Sequence, residues 1–137
     1  MNLYIDSSAL MKLVTPEDES DSLRAFLAGA NPWSTAVSLL SSQLAKTEIF
    51  RASARIGADA SRTARDLARS VTFLGLDRPI LHQAALVMPA SLRTLDAIHV
   101  TTALWGGLAV IGYDHRLNEA ARQAGLAVYS PGMSTSQ

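Results

Sequence analysis

The chain has 137 residues, 48% of them hydrophobic, and a formal net charge of zero. That length suits one compact domain, and the apolar share supplies a core without staples. It contains no cysteine and no run of about 18 apolar residues, which excludes thiolate metal sites, disulfides, cysteine nucleophiles and a membrane-spanning helix.

The elements alternate along the chain. Leu3–Ile5 reads as a short buried strand, and Ala9–Val14 as a helix that stops before Pro16. Glu17–Ala28 has Leu23, Phe26 and Leu27 on one helical face, with Gly29 as the stop. Trp33–Ser38 reads as a second strand. Gln43–Ile56 is a helix whose core stripe is Ala45, Ile49, Ala52 and Ile56, with Glu48 beside it and Gly57 at its end. Ala58–Ser70 is a polar helix carrying Arg62, Arg65 and Arg69, followed by a third strand, Val71–Leu76. Pro79–Leu86 is a helix broken by Pro89, and Thr94–Trp105 is the most apolar helix. Ala109–Tyr113 and Leu126–Tyr129 are the last strands, flanking the helix His115–Ala124. Residues 1–130 form one domain, and 131–137 a flexible tail. This alternation predicts an α/β fold: a three-layer α/β/α domain around a mainly parallel sheet of about five strands.

Charge is unevenly spread. Glu17, Asp18, Glu19 and Asp21 form an acidic cluster, whereas Lys46, Arg51, Arg55, Arg62, Arg65 and Arg69 face only Glu48, Asp59 and Asp66 between residues 46 and 69. The Arg62/Arg65/Arg69 stripe has two readings, a solvated helix face or a phosphate track. The start Met1-Asn2-Leu3-Tyr4-Ile5-Asp6 lacks the basic and long apolar regions of a signal peptide, so a cytoplasmic location is expected.

Four acids stand where a bare charge is hard to place: Asp6 and Asp114 at strand ends, Glu48 beside an apolar stripe, Asp96 early in an apolar helix. Each has an ordinary alternative. Asp6 and Asp114 are suited to cap helices, Asp96 suits a first helical turn capped by Thr94, and Glu48 could pair with Arg51. Those alternatives do not explain why all four recur in apolar settings. In an open parallel sheet the functional cleft lies at the carboxyl ends of the strands, where Asp6 and Asp114 both fall. Carboxylates gathered in one pocket call for a cation, and oxygen donors suit Mg²⁺, with Mn²⁺ as the substitute. Such a site serves phosphodiester hydrolysis by activating water.

The segments Tyr4-Ile5-Asp6-Ser7-Ser8-Ala9-Leu10, Lys46-Thr47-Glu48-Ile49-Phe50-Arg51-Ala52, Leu92-Arg93-Thr94-Leu95-Asp96-Ala97-Ile98-His99 and Gly112-Tyr113-Asp114-His115-Arg116-Leu117 resemble the four acidic motifs of PIN-domain ribonucleases. Length and the first and third motifs are similar to the VapC toxins of toxin–antitoxin pairs. The resemblance implies an Mg²⁺-dependent endoribonuclease that cuts single-stranded RNA. Under it, Asp6 and Asp96 are primary metal ligands, Glu48 binds metal or positions the attacking water, and Asp114 completes a second metal position. Ser8 would hydrogen-bond a metal-bound water or phosphate, and Arg93 would orient substrate or acid. The resemblance also implies a homodimer, silenced by a small antitoxin lying across the acidic cleft. One departure is Gly112, where the family often has Thr or Ser.

His99 reads as a hydrogen-bonded core residue, and Trp33 and Trp105 as packing or interface residues. Two other functions compete. A catalytically weak PIN module would work by binding RNA or protein, and the intact acid set argues against it. A phosphatase would be expected to show an Asp-x-Asp nucleophile or a Gly-rich phosphate loop, and neither is present.

Overall fold

The computed structural model describes residues 1–133. The expected tail over 131–137 therefore lies, from residue 134 on, outside the described residues.

The elements run β1 (Asn2–Ile5), α1 (Ser7–Val14), α2 (Ser20–Ala28), β2 (Ser38–Ser42), α3 (Gln43–Ile56), α4 (Ala58–Ala68), β3 (Val71–Leu74), α5 (Arg78–Ala84), α6 (Thr94–Gly106), β4 (Val110–Ile111), α7 (His115–Gln123) and β5 (Val128–Tyr129). All strand pairs are parallel, in the order β3-β2-β1-β4-β5. Succession moves from β1 outward to β3, then jumps back across β1 to β4 and β5. The chain thus reverses its direction of growth at β1, between β2 and β4. A crevice opens at such a switch point, beyond the carboxyl ends of the strands.

Side-chain alternation along β1 sorts the layers. Leu3 and Ile5 join Ala9, Leu10, Leu23, Phe26, Ala45 and Ile49 in one cluster, which lies under α1, α2 and α3. Tyr4 points the other way, into Val100, Ala103, Leu117, Ala120 and Ala121 of α6 and α7. Helix α4 covers the first layer through Ala60 and Ala64 against Val14. The result is the three-layer α/β/α domain expected. Leu3, Ile5, Leu10, Leu23 and Ile49 are almost fully buried, each worth about 1.5–3 kcal/mol of transfer free energy. Ordering a residue's backbone costs about 1–2 kcal/mol. The core can therefore hold β4 and β5 although each is only two residues long.

Several boundaries differ from the sequence reading. Trp33–Ser38 is not a strand. Asn31 ties it into a turn, its Nδ2 donating to Phe26 O and Thr35 O, each at 2.7 Å, while Ser34 takes a positive φ of 52°. Trp33 instead packs on Phe26 and Tyr129. The strand is Ser38–Ser42, concealed by its polar serines. Ser41 donates to Ile5 O, and Ser42 caps α3 by accepting from Leu44 N–H. The α3 stripe also drifts from expectation. Ile56 is exposed and Ser53 takes the buried place, its hydroxyl satisfied by Phe50 O. α2 begins three residues later than read, because Ser20 Oγ accepts from Glu17 N–H and donates to Lys12 O. The acidic cluster beside it is partly structural: Lys12 Nζ lies 3.2 Å from Glu17 and 2.7 Å from Glu19. Among the described residues no helix is long and apolar enough to cross a membrane.

Candidate functional site

Asp6 is where β1 turns into α1, and it does two jobs at once. Its Oδ1 caps the helix, accepting from Ala9 N–H at 2.9 Å and from the Ser8 hydroxyl at 2.7 Å. Its Oδ2 is buried with no hydrogen-bond partner. Burial pushes this carboxyl above its usual range, opposed by the bonds from Ser8 and Ala9 and by His99, and assisted by Asp114. The cap reading of Asp6 is thus correct as far as it goes, but a cap needs only one oxygen. A buried acceptor left unpaired costs about 1–3 kcal/mol, so Oδ2 is an oxygen awaiting a cation or a donor. The Ser8 hydroxyl is committed to Asp6 as donor and to Tyr113 N–H as acceptor, 3.0 Å away. It locks the β1 turn to the end of β4.

Asp114 likewise caps α7, with Oδ1 accepting from Arg116 N–H and Leu117 N–H at 2.9 and 3.1 Å. Asp96 does not depend on a Thr94 cap, because Arg93 is the N-cap and makes no side-chain cap bond. The Arg93 guanidinium instead reaches Asp96 Oδ2 through Nε and Asp114 Oδ2 through Nη2, each at 3.1 Å. The Asp96 hydrogen bond and charge, then the Asp114 charge, raise its pKa above the usual value. Arg93 therefore joins acids 18 positions apart in sequence and fixes their separation.

Glu48 does not pair with Arg51. Its Oε1 is 2.8 Å from His99 Nε2, and His99 Nδ1 is 2.6 Å from the Tyr4 hydroxyl. His99 and Tyr4 are essentially inaccessible to solvent. Burial strongly raises the Tyr4 pKa, so the phenol keeps its proton and donates it to Nδ1. Nε2 then carries the imidazole hydrogen and gives it to Glu48. His99 is the core residue the sequence suggested, but its outer edge orients an acid of the site. Sequence reasoning missed Tyr4. Its only signal was a hydroxyl on an otherwise apolar central strand.

It also missed Asn118, one turn into α7. Asn118 Nδ2 donates to Gly112 O at 3.1 Å and to Ser130 Oγ at 3.2 Å, while Oδ1 is buried and unpaired. A side chain at Gly112 would begin 2.5 Å from Asp6 Oδ2 and 2.9 Å from Asn118 Oδ1. The hydroxyl residue often found there in the family would not fit. Gly112 and Asn118 are one local solution, in which the amide occupies room that a larger residue 112 would need.

Asp6 and Asp114 thus stand at the carboxyl ends of β1 and β4, Arg93 ties Asp96 to Asp114, and His99, close enough to Asp6 to act on its charge, holds Glu48. The four acids are not drawn to a single point. Among the described residues no three acidic or imidazole side chains are disposed to hold an ion together. The convergence expected from sequence is looser than anticipated, because Arg93 stands between Asp96 and Asp114 and His99 turns Glu48. The donors nevertheless suit a hard divalent cation. They are all oxygen, and one, Asp6 Oδ2, is buried without a partner.

Comparison with known proteins agrees with this fold. Residues 3–123 match the family model described as PIN domain. Ribonuclease VapC46 of Mycobacterium tuberculosis is 38% identical over 132 residues, covering 94% of this chain and 97% of that protein. Among solved structures, Mycobacterium tuberculosis VapC20, described as a sarcin–ricin-loop-cleaving toxin, superposes with a TM-score of 0.70 at 16% identity, over 86% of this chain and 94% of that one. A toxin–antitoxin complex from Klebsiella pneumoniae gives a TM-score of 0.70 at 18% identity, over 94% of this chain and 97% of that one.

Proposed function

This chain belongs to the PIN-domain family, and on that premise we propose that it is an Mg²⁺-dependent endoribonuclease, the toxin of a toxin–antitoxin pair. The observation that carries the reading is Asp6 Oδ2, buried and unpartnered at the sheet's switch point, with Asp114 at the end of β4 and Asp96 tied to it through Arg93. The ribonuclease and toxin names of the similar proteins support the RNA substrate and the antitoxin partner.

Asp6 and Asp96 would hold Mg²⁺, or Mn²⁺ in its place, with Glu48 and Asp114 completing the oxygen set. When bound, the ion supplies a Lewis acid that lowers the pKa of water and offsets charge on phosphorus. The chain's own residues supply the rest. Ser8 and Ala9 hold Asp6 in register. Tyr4 and His99 present Glu48 with one oxygen engaged, so that its Oε2, which makes no hydrogen bond among the described residues, can accept a proton from water. Arg93 holds Asp96 and Asp114 close and offers a guanidinium to an incoming phosphate. Exposed Leu86 and Met88, which follow α5, and Trp105, near the end of α6, offer apolar surface that supports the homodimer.

One observation favours the competing reading of a weak module that acts by binding. As folded, Arg93 already neutralises part of the cleft. Cleavage of a single-stranded RNA by the wild type with Mg²⁺ and with excess chelator separates the two. We expect cleavage that needs Mg²⁺ and is lost in Asp96→Asn without loss of fold. Cleavage surviving the chelator, or undiminished in Asp96→Asn, would overturn the mechanism.

A further inference from the structure

We propose that Arg51 and Arg55 of α3, with Arg116 on the opposite side of the acids, form the track that holds the backbone of single-stranded RNA, and that the Arg62/Arg65/Arg69 stripe does not. The inference rests on the ribonuclease reading and deepens it by naming the residues that grip the polyanion.

The first observation is the pairing of the arginines. Arg62 lies 2.9 Å from Asp59 and Arg69 lies 3.8 Å from Asp66, each an i,i+3 pair on α4. Arg24 and Arg122 are similarly paired within their own helices. Among the described residues, Arg51, Arg55, Arg65, Arg78 and Arg116 have no carboxylate within ion-pair distance, and of these Arg51, Arg55 and Arg116 line the two depressions that hold Glu48 and Asp114. A guanidinium without a local partner offers its full charge and its fork of donors to a phosphate.

The second observation is place. A groove of about 450 Å³ runs beside the acids, lined among others by Ser7, Leu44, Glu48, Arg51, Arg55 and Leu95. Glu48 is itself in the wall, and Ser7 and Leu95, the chain neighbours of Asp6 and Asp96, line the groove with it. Arg51 and Arg55 are i,i+4 on α3 and share a face with Glu48. About 6 Å of helix rise separates them, on the order of one nucleotide step of an extended strand. Beyond the acids, Arg93, Asp114, His115 and Arg116 line a second, shallower depression. Helix α4 packs instead on α1 and α3, through Val14, Ala60 and Ala64, and none of its arginines lines either depression.

The third consideration is charge balance. Four acids repel a phosphodiester, and Arg93 offsets only part of that. Unpaired cations before and after the acids let a strand cross them with its scissile phosphate in the middle. The apolar walls of the groove, Leu44 and Leu95, can carry bases without selecting among them.

The test measures binding of a fluorescein-labelled single-stranded RNA by anisotropy, in chelator to prevent cleavage, between about 0.05 and 0.2 M salt. Arg51→Gln/Arg55→Gln is compared with Arg62→Gln/Arg65→Gln and with Arg116→Gln, each checked for an unchanged melting temperature. We expect the first variant to bind about tenfold more weakly and its log–log salt slope to fall by about 1.4, two contacts at roughly 0.7 each. Arg116→Gln should lose about 0.7 of slope, and Arg62→Gln/Arg65→Gln should match the wild type. If the wild type cleaves RNA with Mg²⁺ yet the α3 and α4 variants bind equally well, the track alone is overturned. A wild type that neither binds nor cleaves RNA overturns the ribonuclease reading and the track with it. If poly-L-glutamate displaces the RNA as well as unlabelled polyuridine does at equal charge, the groove is a site for acidic polypeptide and the track is overturned.

Discussion

Gly112→Ala tests the site most sharply, because a single methyl enters a space whose occupants are known. The new carbon would lie 2.5 Å from Asp6 Oδ2, 3.0 Å from Asp6 Cγ and 2.9 Å from Asn118 Oδ1. Gly112 is not among the glycines with positive φ, so the penalty is steric, with no left-handed backbone to account for. Neither neighbour yields easily. Asp6 is fixed through Oδ1 by Ser8 and Ala9, and Asn118 is held by Gly112 O and Ser130. Overpacking of this kind costs about 1–3 kcal/mol. Unfolding entropy of about 2.1 cal/mol/K per residue, over 137 residues, converts that to a melting-temperature loss of roughly 3–10 °C. Circular dichroism melts in chelator, with RNA cleavage in Mg²⁺ alongside, read both consequences. Cleavage should fall further than stability, since Asp6 must move. Gly112→Ala/Asn118→Ala removes the clash with Asn118 Oδ1, lets the new methyl shift away from Asp6, and should recover part of the melting temperature. A Gly112→Ala protein that melts and cleaves like the wild type would refute the packing argument.

Three further outcomes follow from the same contacts. Burial raises the Asp6 pKa, so between the unfolded value near 3.9 and the raised folded value the native state keeps a proton that the unfolded chain has lost. Metal-free stability contributed by Asp6 is therefore full below that window and falls as pH rises through it. Asp6→Asn should flatten this fall and melt higher than the wild type at neutral pH in chelator; identical pH–melting curves would contradict it. His99→Ala removes the donor to Glu48 and leaves the Tyr4 hydroxyl buried without an acceptor, about 1–3 kcal/mol beyond the cavity term. His99→Gln, which keeps an N–H, should restore cleavage more than stability, and equal activity in both variants would show that His99 only packs. Arg93→Gln frees Asp96 and Asp114 from their shared guanidinium, so calorimetric titration with Mn²⁺ should show tighter binding; weaker or unchanged binding would mean that Arg93 does not oppose the ion.

Much of the fold was legible because apolar runs and turn residues agreed. Gly29 and Gly57 ended α2 and α3 where expected, and both have positive φ. The misplaced strand shows what pattern alone cannot see. Trp33–Ser38 has β-forming residues, but the turn at Asn31 is held by side-chain bonds to backbone carbonyls, invisible in hydropathy. The true β2 hides behind buried serines whose hydroxyls find Ile5 O and Leu44 N–H. A buried serine looks exposed to any reading that equates polarity with solvent.

The acids were legible for the opposite reason: a charge beside an apolar run has few innocent explanations. Yet two of the innocent explanations are also true, since Asp6 and Asp114 do cap helices. Capping uses Oδ1 of each, and the second oxygen is left for other partners. For Asp114 that partner is Arg93; for Asp6 Oδ2 there is none among the described residues. The division of labour between two oxygens of one carboxylate lies below the resolution of sequence. So does the state of an arginine. The stripe on α4 is the most regular basic pattern in the chain, and intrahelical aspartates neutralise much of it. Arg51 and Arg55, less conspicuous in sequence, gain significance because the fold sets Glu48 beside them and brings no acid to answer them. Periodicity tells which arginines share a face. Only packing tells which of them still have charge to offer.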